Sequence, residues 1–334
     1  MKILNQQIFE NKEAAALPGL MESGGLPALV SGLSGIHRVN LAAALYEKLE
    51  LPVFVVCPDD SSAESFSRDL ESMTGVQVNT LYSRDFTFYS SLAASREAEQ
   101  KRLYVLNALR SGESPLTVAT VSALMQRAIP PQTLGKAAFT VTDGEPCPPE
   151  ELEAALLRCG YTRCEQVEGA GQFSRRGGIR DFFSPSYPEP VRIEFWGDDI
   201  DSMGFFDVKT QRRTEAVESC RILPAAESLA TLASGGVEAI TEALRAAADK
   251  CSKHKSSQQL RELERTLRTD IEKLEQNVKI EYADRYMPFL YEKASGADYI
   301  PEEAVVFIDQ PPRCADRAKG FSKQLGEDVG ELVK

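Results

Sequence analysis

The sequence predicts an α/β protein in which a parallel-sheet domain is interrupted by an inserted β-rich domain and a helical subdomain. Over the first 127 residues, short apolar runs alternate with segments of helical spacing, the pattern of a parallel sheet with crossover helices. From about 136 to 223 short strands and turns take over, and from about 234 to 295 the pattern is helical and heavily charged. Finally, Val305-Val306-Phe307-Ile308 reads as a buried-type strand ending in Asp309, and its return to the first sheet makes the middle of the chain an insertion. The boundaries implied are 1–127 plus 300–334 for the parallel-sheet domain, 128–223 for the β-rich domain and 224–299 for the helical subdomain.

Taken in order, Val39, Leu41, Ala42, Leu45 and Leu49 fall at helical spacing, and the run Val53 to Val56 follows as a strand. Asp60 to Met73 predicts a second helix, Val76 to Leu81 a short strand, and Ser95 to Arg110 a longer helix that Gly112 stops. Leu116 to Ala119 is the next strand. In the insertion, Pro149 to Cys159 is a helix stopped by Gly160. Val191 to Trp196 alternates with period two, and Gly197-Asp198-Asp199 is the turn of a hairpin. Beyond it, Leu260, Leu263, Leu267, Ile271 and Leu274 form the stripe of an amphipathic helix.

A chain of 334 residues, 43% of them hydrophobic, is long enough for about two domains with cores, which excludes wholesale disorder. Lys and Arg number 38 against 50 Asp and Glu, a net charge of −12. That balance argues against nucleic acid as the main partner of this chain, because neutralising phosphates takes clustered Lys and Arg. Seven scattered cysteines, an odd number, do not make a secreted disulfide framework and point to a reducing cytoplasm. The N-terminus lacks the apolar core of a signal peptide, and no stretch reaches the roughly 18 apolar residues of a membrane span.

Gly32-Leu33-Ser34-Gly35-Ile36-His37-Arg38-Val39 stands where a phosphate-binding loop would stand, just ahead of a helix. A working loop, GxxxxGK followed by Ser or Thr, needs a second Gly to wrap backbone around the phosphates. It also needs a Lys for the β- and γ-phosphates and a hydroxyl for Mg²⁺. Here those three positions hold His37, Arg38 and Val39; Arg38 keeps the charge on a bulkier head, and Val39 cannot ligate a metal. The strand ending in Asp309 fits a metal-holding strand end, but Gln310 follows where a water-orienting Glu is needed. Two degenerate halves in the right order predict a decayed P-loop, with no catalytic residue and no cofactor in this segment.

Other chemistry lacks material. His37 and His254 are too few for a histidine triad or a His-rich metal site. Cys159 and Cys164 have no second pair at zinc spacing and read as small buried thiols, so no metal is expected. Asp198, Asp199 and Asp201 read as hairpin and surface residues.

The stretch from Gly160 to Phe183 carries more signal. Between 161 and 180 it has four Arg and two Glu, a local surplus of +2 in an acidic chain. Gly177-Gly178 within a strand pattern suggests a bulge or the close approach of another backbone. Arg and Phe on an exposed strand are typical anchors of a protein interface, although solvated arginines on a twisted hairpin would look the same.

The run Phe173 to Phe183, then Glu189-Pro190-Val191-Arg192-Ile193-Glu194-Phe195-Trp196-Gly197-Asp198-Asp199-Ile200-Asp201-Ser202 and Phe205 to Arg212, resembles the bacterial transcription-repair coupling factors (Mfd). Thr120 to Arg127 and Tyr299-Ile300-Pro301 extend the likeness over nearly the whole chain. The resemblance implies an N-terminal part like that of the excision-repair helicase subunit UvrB, with its ATPase loop decayed. It also implies an inserted domain that binds UvrA, the damage-recognition ATPase. By alignment Arg163 and Arg176 match arginines of the UvrA-binding surface, and Phe173 sits on the same strand. Ser174 stands where UvrB carries another interface Arg, and whether neighbouring Arg175 substitutes for it is open. Arg180 replaces an aliphatic residue of the family pattern, and Ser184 departs from it less seriously. Full-length members continue into an RNA-polymerase-binding domain and a double-stranded-DNA translocase that uses ATP and Mg²⁺. The resemblance therefore implies an N-terminal fragment whose own partner is UvrA. Two rival readings are an active UvrB-like ATPase that loads onto damaged DNA, and a purely structural module packed against the rest of its own protein.

Overall fold

The computed structural model describes residues 5–84, 96–253, 258–276, 278–280 and 283–333. Ser95, His254 and Lys334, which the sequence reading touched, lie outside the described residues. The chain divides into two compact units, one of Met1–Ser83, Ala108–Gln126 and Tyr299–Leu325, the other of Arg84–Asn107, Arg127–Asp298 and Gly326–Lys334. No described helix is long and apolar enough to cross a membrane.

The first unit is built on a parallel sheet. Strands β1 (Val53–Cys57), β2 (Asn79–Leu81) and β3 (Leu116–Thr120) run alongside the chain's last strand, Val305–Ile308, in the order Val305–Ile308, β1, β3, β2. Every residue of β1 and β3 is buried, as central strands of a parallel sheet require. The helix Gly35–Leu49 precedes β1 and the helix Asp60–Thr74 follows it. Asp59 caps the second by accepting from the Ser62 N–H at 2.9 Å, and Gly75 at φ +70° ends it. Leu41, Leu45, Ala63, Phe66 and Leu70 from these helices pack with Val53, Val55, Leu116 and Val118 into one core.

Two details of this unit differ from the sequence reading. The strand predicted over Val76 to Leu81 forms only at Asn79–Leu81. Val305–Ile308 pairs in parallel with β1, Val53 opposite Val305, but it is an edge strand, with Val306 and Ile308 about half exposed. A four-residue apolar run reads the same at the edge of a sheet as at its centre.

The second unit holds a separate antiparallel region. After β4 (Phe139–Thr142) come β5 (Thr162–Arg163), β6 (Gln172–Arg176), β7 (Ile179–Phe182), β8 (Val191–Trp196), β9 (Asp199–Phe206) and β10 (Arg213–Ala216), a six-stranded sheet in chain order. Only β5 and β6 pair in parallel; β11 (Ser219–Ile222) returns to pair with β4. The helix Pro149–Arg158 sets Leu152 and Leu156 onto Phe173, Phe182, Val191, Ile193 and Met203. The period-two reading of β8 is met, with Val191 and Ile193 buried and Arg192 and Glu194 half-buried. Asp199 belongs to β9, opposite Trp196, so the hairpin loop is Gly197-Asp198. Gly177-Gly178 is likewise a hairpin loop rather than a bulge. In both loops only the first residue has positive φ, +66° and +58°, the type II′ arrangement. The expected close approach is real, since a Cβ on Gly178 would lie 2.9 Å from the Phe195 carbonyl oxygen. In the helices Gly236–Ser252 and Gln258–Glu275, Leu267, Ile271 and Leu274 are buried while Leu263 is exposed.

Glu227 ties this unit together. Its fully buried carboxylate accepts from Arg102 Nε at 3.1 Å and from the Ile129 N–H at 3.2 Å, with Arg84 Nε at 3.6 Å. Its own N–H donates to Glu99 at 2.7 Å, and the Tyr291 hydroxyl donates to its carbonyl at 3.1 Å. Burial pushes the Glu227 carboxyl up, but Arg84, Arg102 and the Ile129 amide together hold it below its ordinary 4.5. A folded-state pKa below the unfolded value adds stability above 4.5, and that stability is lost as the pH falls through the lowered value. Glu227→Gln should therefore cost about 3–5 kcal/mol in urea unfolding at neutral pH. The gap from the unmodified chain should close as the pH drops below 4.5.

Candidate functional site

The pleat of the six-stranded sheet sends alternate side chains to opposite faces. The face beneath helix Pro149–Arg158 takes Phe173, Phe182, Val191 and Ile193 into the core. The other face carries Ser174, Arg176, Asp181, Arg192, Glu194 and Trp196. Asp181, only 2% exposed, is its centre. Its carboxylate accepts from Arg192 Nε at 2.7 Å and Nη2 at 2.9 Å, and from Arg176 Nη2 at 3.1 Å. Arg192 also donates to the Gln211 carbonyl at 3.1 Å and lies 4.5 Å from the centre of the Phe206 ring. The hydrogen bonds to Asp181 raise the Arg192 pKa further, against the opposing effect of burial. Arg176 is held at one corner of its fork while 51% of its side chain remains exposed. A guanidinium fixed this way is pre-organised to meet a partner's carboxylates or carbonyls.

The other residues singled out in the sequence fall in different places. Arg163 is exposed on β5 and has no ion pair among the described residues. Its register opposite Phe173 puts it on the side of the sheet away from Arg176, at the edge. Phe173 is a correction: at 1% exposure it is a core residue under the helix and presents nothing to a partner. Arg175, on the same side as Phe173, is half exposed and 3.7 Å from Glu153. Ser174 is buried.

Arg180 explains its own departure from the family pattern. It fills an interior position at 2% exposure, with Nε 2.5 Å from Glu153 and Nη1 donating to the Gly177 carbonyl at 2.7 Å. Ser184, also buried, accepts from the Leu223 N–H at 3.1 Å. Cys159 is buried, its thiol pushed up to about 11 by desolvation, and Cys164 Sγ lies 3.3 Å from the Phe173 carbonyl oxygen.

In the first unit, Gly32 has φ +82° and Gly35 opens the helix Gly35–Leu49. Ser34 Oγ lies 2.9 Å from His37 Nδ1, and Val39 is buried. Arg38 Nε sits 3.1 Å from Asp309 Oδ1, and Gln310 Nε2 donates to Asp309 Oδ2 at 3.1 Å. Gln310, at φ +52°, accepts in turn from Arg313, which donates to Asp59 at 2.7 Å. Both oxygens of the buried Asp309 are thus engaged by side chains of the chain itself. Burial pushes the neighbouring Cys57 thiol up to about 12, with Asp309 adding to the effect.

Within the second unit, residues 139–227, which hold this sheet and its charged face, match the UvrB interaction domain. Across its length the chain is similar to transcription-repair coupling factors. It is 29% identical to that of Bacillus subtilis over 98% of this chain and 28% of the relative. The factor of Myxococcus xanthus is 33% identical over 60% of this chain and 17% of the relative. That of Escherichia coli is 30% identical over 61% of this chain and 18% of the relative. The resemblance read from the sequence therefore holds, and the chain spans under a third of the length of these relatives.

Two stability measurements probe these charges. Glu153→Ala strands the buried Arg180 and should cost about 3–5 kcal/mol, whereas Glu153→Ala with Arg180→Leu should regain most of it in chemical unfolding. Arg38→Leu, which removes the ion-pair partner of buried Asp309, should cost about 1–3 kcal/mol by the same assay.

Proposed function

We propose that this chain is the UvrA-recruiting module of a transcription-repair coupling factor and works by docking rather than by chemistry. The observation that carries the reading is Arg176, held outward by buried Asp181 within residues that match the UvrB interaction domain. Arg163 and Arg175 extend the basic surface, on the other side of the sheet. In the whole protein, docking would bring the excision machinery to an RNA polymerase stalled on damaged DNA. ATP-driven translocation on double-stranded DNA and polymerase contact would belong to the rest of the protein, and the setting would be the bacterial cytoplasm.

The first unit, in this proposal, is a decayed P-loop domain like the one that opens UvrB, with the other two parts bounded near 128–223 and 224–299. Support comes from Arg38 on Asp309: a guanidinium takes the carboxylate that a metal-bound nucleotide would need. The rival ATPase reading predicts hydrolysis that Arg38→Ala abolishes; the docking reading predicts no turnover by either form.

Titration calorimetry with purified UvrA tests docking directly. The unmodified chain should bind at micromolar affinity or tighter, and Arg163→Ala/Arg176→Ala, checked for folding, should weaken binding roughly thirtyfold or more. Absence of binding by the unmodified chain would favour the structural rival.

A further inference from the structure

Trp196 is the chain's single tryptophan and is 83% exposed. An aromatic of this size left in water forgoes the burial that such side chains usually contribute to a core or an interface, and nothing local requires it. The hairpin turn is made by Gly197 at φ +66°, and Trp196 merely closes it opposite Asp199. The register of β8 with β9 shifts between Glu194 and Phe195, but Phe195 packs against the core, so its neighbour Trp196 falls on the opposite side, that of Asp181 and Arg176.

Register also brings Trp196 and Arg176 to the same end of the sheet. Arg176 is opposite Ile179, Ile179 is opposite Glu194, and the Phe195 N–H donates to the Gly178 carbonyl at 2.8 Å. The loops Gly177-Gly178 and Gly197-Asp198 therefore end along one border, with Trp196 two strands over and two residues along from Arg176, roughly 12 Å away. The tip around the indole is acidic, with Asp198, Asp199 and Asp201 all exposed. Trp and Arg are the residue types that most often carry binding energy, and a ring of polar groups around an apolar centre is the usual anatomy of such a contact.

We infer that Trp196 is the apolar anchor of the docking face, entering an apolar cleft of UvrA whose rim is basic toward Asp198 and Asp199 and acidic toward Arg176. The inference rests on the docking reading, and its position within residues 139–227 ties it to the same partner. The charge pattern gives the face an orientation: reversing the partner would set acid on acid at the hairpin tip.

Because the chain has one tryptophan, fluorotryptophan incorporation gives a single fluorine NMR resonance that reports on this site alone. On adding purified UvrA, that resonance should shift or broaden. Trp196→Ala should weaken binding about tenfold or more, and Trp196→Phe should recover much of the loss. Binding that Arg176→Ala weakens, with the indole resonance unmoved and Trp196→Ala at full affinity, would overturn the anchor and leave docking standing. No binding by the unmodified chain would overturn both. Concentration-dependent self-association lost in Trp196→Ala would assign the indole to a second copy of the chain and overturn the inference as well.

Discussion

A carboxylate taken out of water must bring its positive charge with it, and four buried carboxylates among the described residues do: Asp270, paired with Arg285, and three more. Asp309 holds Arg38, Asp181 holds Arg176 and Arg192, and Glu227 holds Arg102 with Arg84 close by. Arg180 with Glu153 is the same rule with the buried charge reversed. Such groups gain little net stability over a well-packed apolar interior, but removing one partner leaves the other stranded. They therefore fix which segments must meet. Glu227 fixes residue 102 of one helix and the amide of residue 129 against the end of the β-rich region.

The same pairing has opposite consequences at two of these nodes. At Asp181, the inner hydrogen bonds are made by Arg192, whose other donors go to Gln211 and whose face covers Phe206. That leaves Arg176 needed at only one contact, so most of its fork points outward. At Asp309, Arg38 and Gln310 use both carboxylate oxygens, and the network runs on through Arg313 to Asp59. One buried acid presents a cation to the outside, and the other turns both of its oxygens toward side chains of its own unit. An acidic chain can thus carry a basic contact without a basic patch, because the position of a few arginines matters more than net charge.

What the sequence made legible was local. Period two in Val191 to Trp196 and helical spacing in Asp60 to Met73 gave strand and helix, because burial on one face repeats along the element. Gly197 was legible as a turn residue because a positive φ at the first loop position suits the hairpin twist, whereas Gly177-Gly178, within a strand pattern, read as a bulge. The pairings were not. Glu153 and Arg180 lie in different elements with no local signal joining them, and Glu227 meets Arg102 across the unit. Phe173 was misplaced for a related reason: a short strand bearing Phe, Ser and two Arg does not say which face is the core. That became clear only when β6 was set beside β7, where Phe173 opposes the equally buried Phe182. The edge position of Val305–Ile308 depends on what pairs with it, which no run of four residues encodes.

The borders of the six-stranded sheet narrow how any partner can be held. Strand addition needs a free, regular edge long enough for a ladder of backbone hydrogen bonds. One edge is β5, which is two residues long, and the other is β10, whose register with β9 is broken between Arg213 and Ala216. Neither offers such a ladder, so recognition has to come from side chains on the faces and at the hairpin ends. Arg163 and Arg176 lie on opposite sides of that sheet, and a partner touching both must reach around the short β5 edge. A contact confined to one side is possible instead at Arg176 and Trp196, which share a face and a border. The hairpin end of the polar face is therefore the part of the domain where a compact partner surface can engage a fixed cation and an exposed aromatic together.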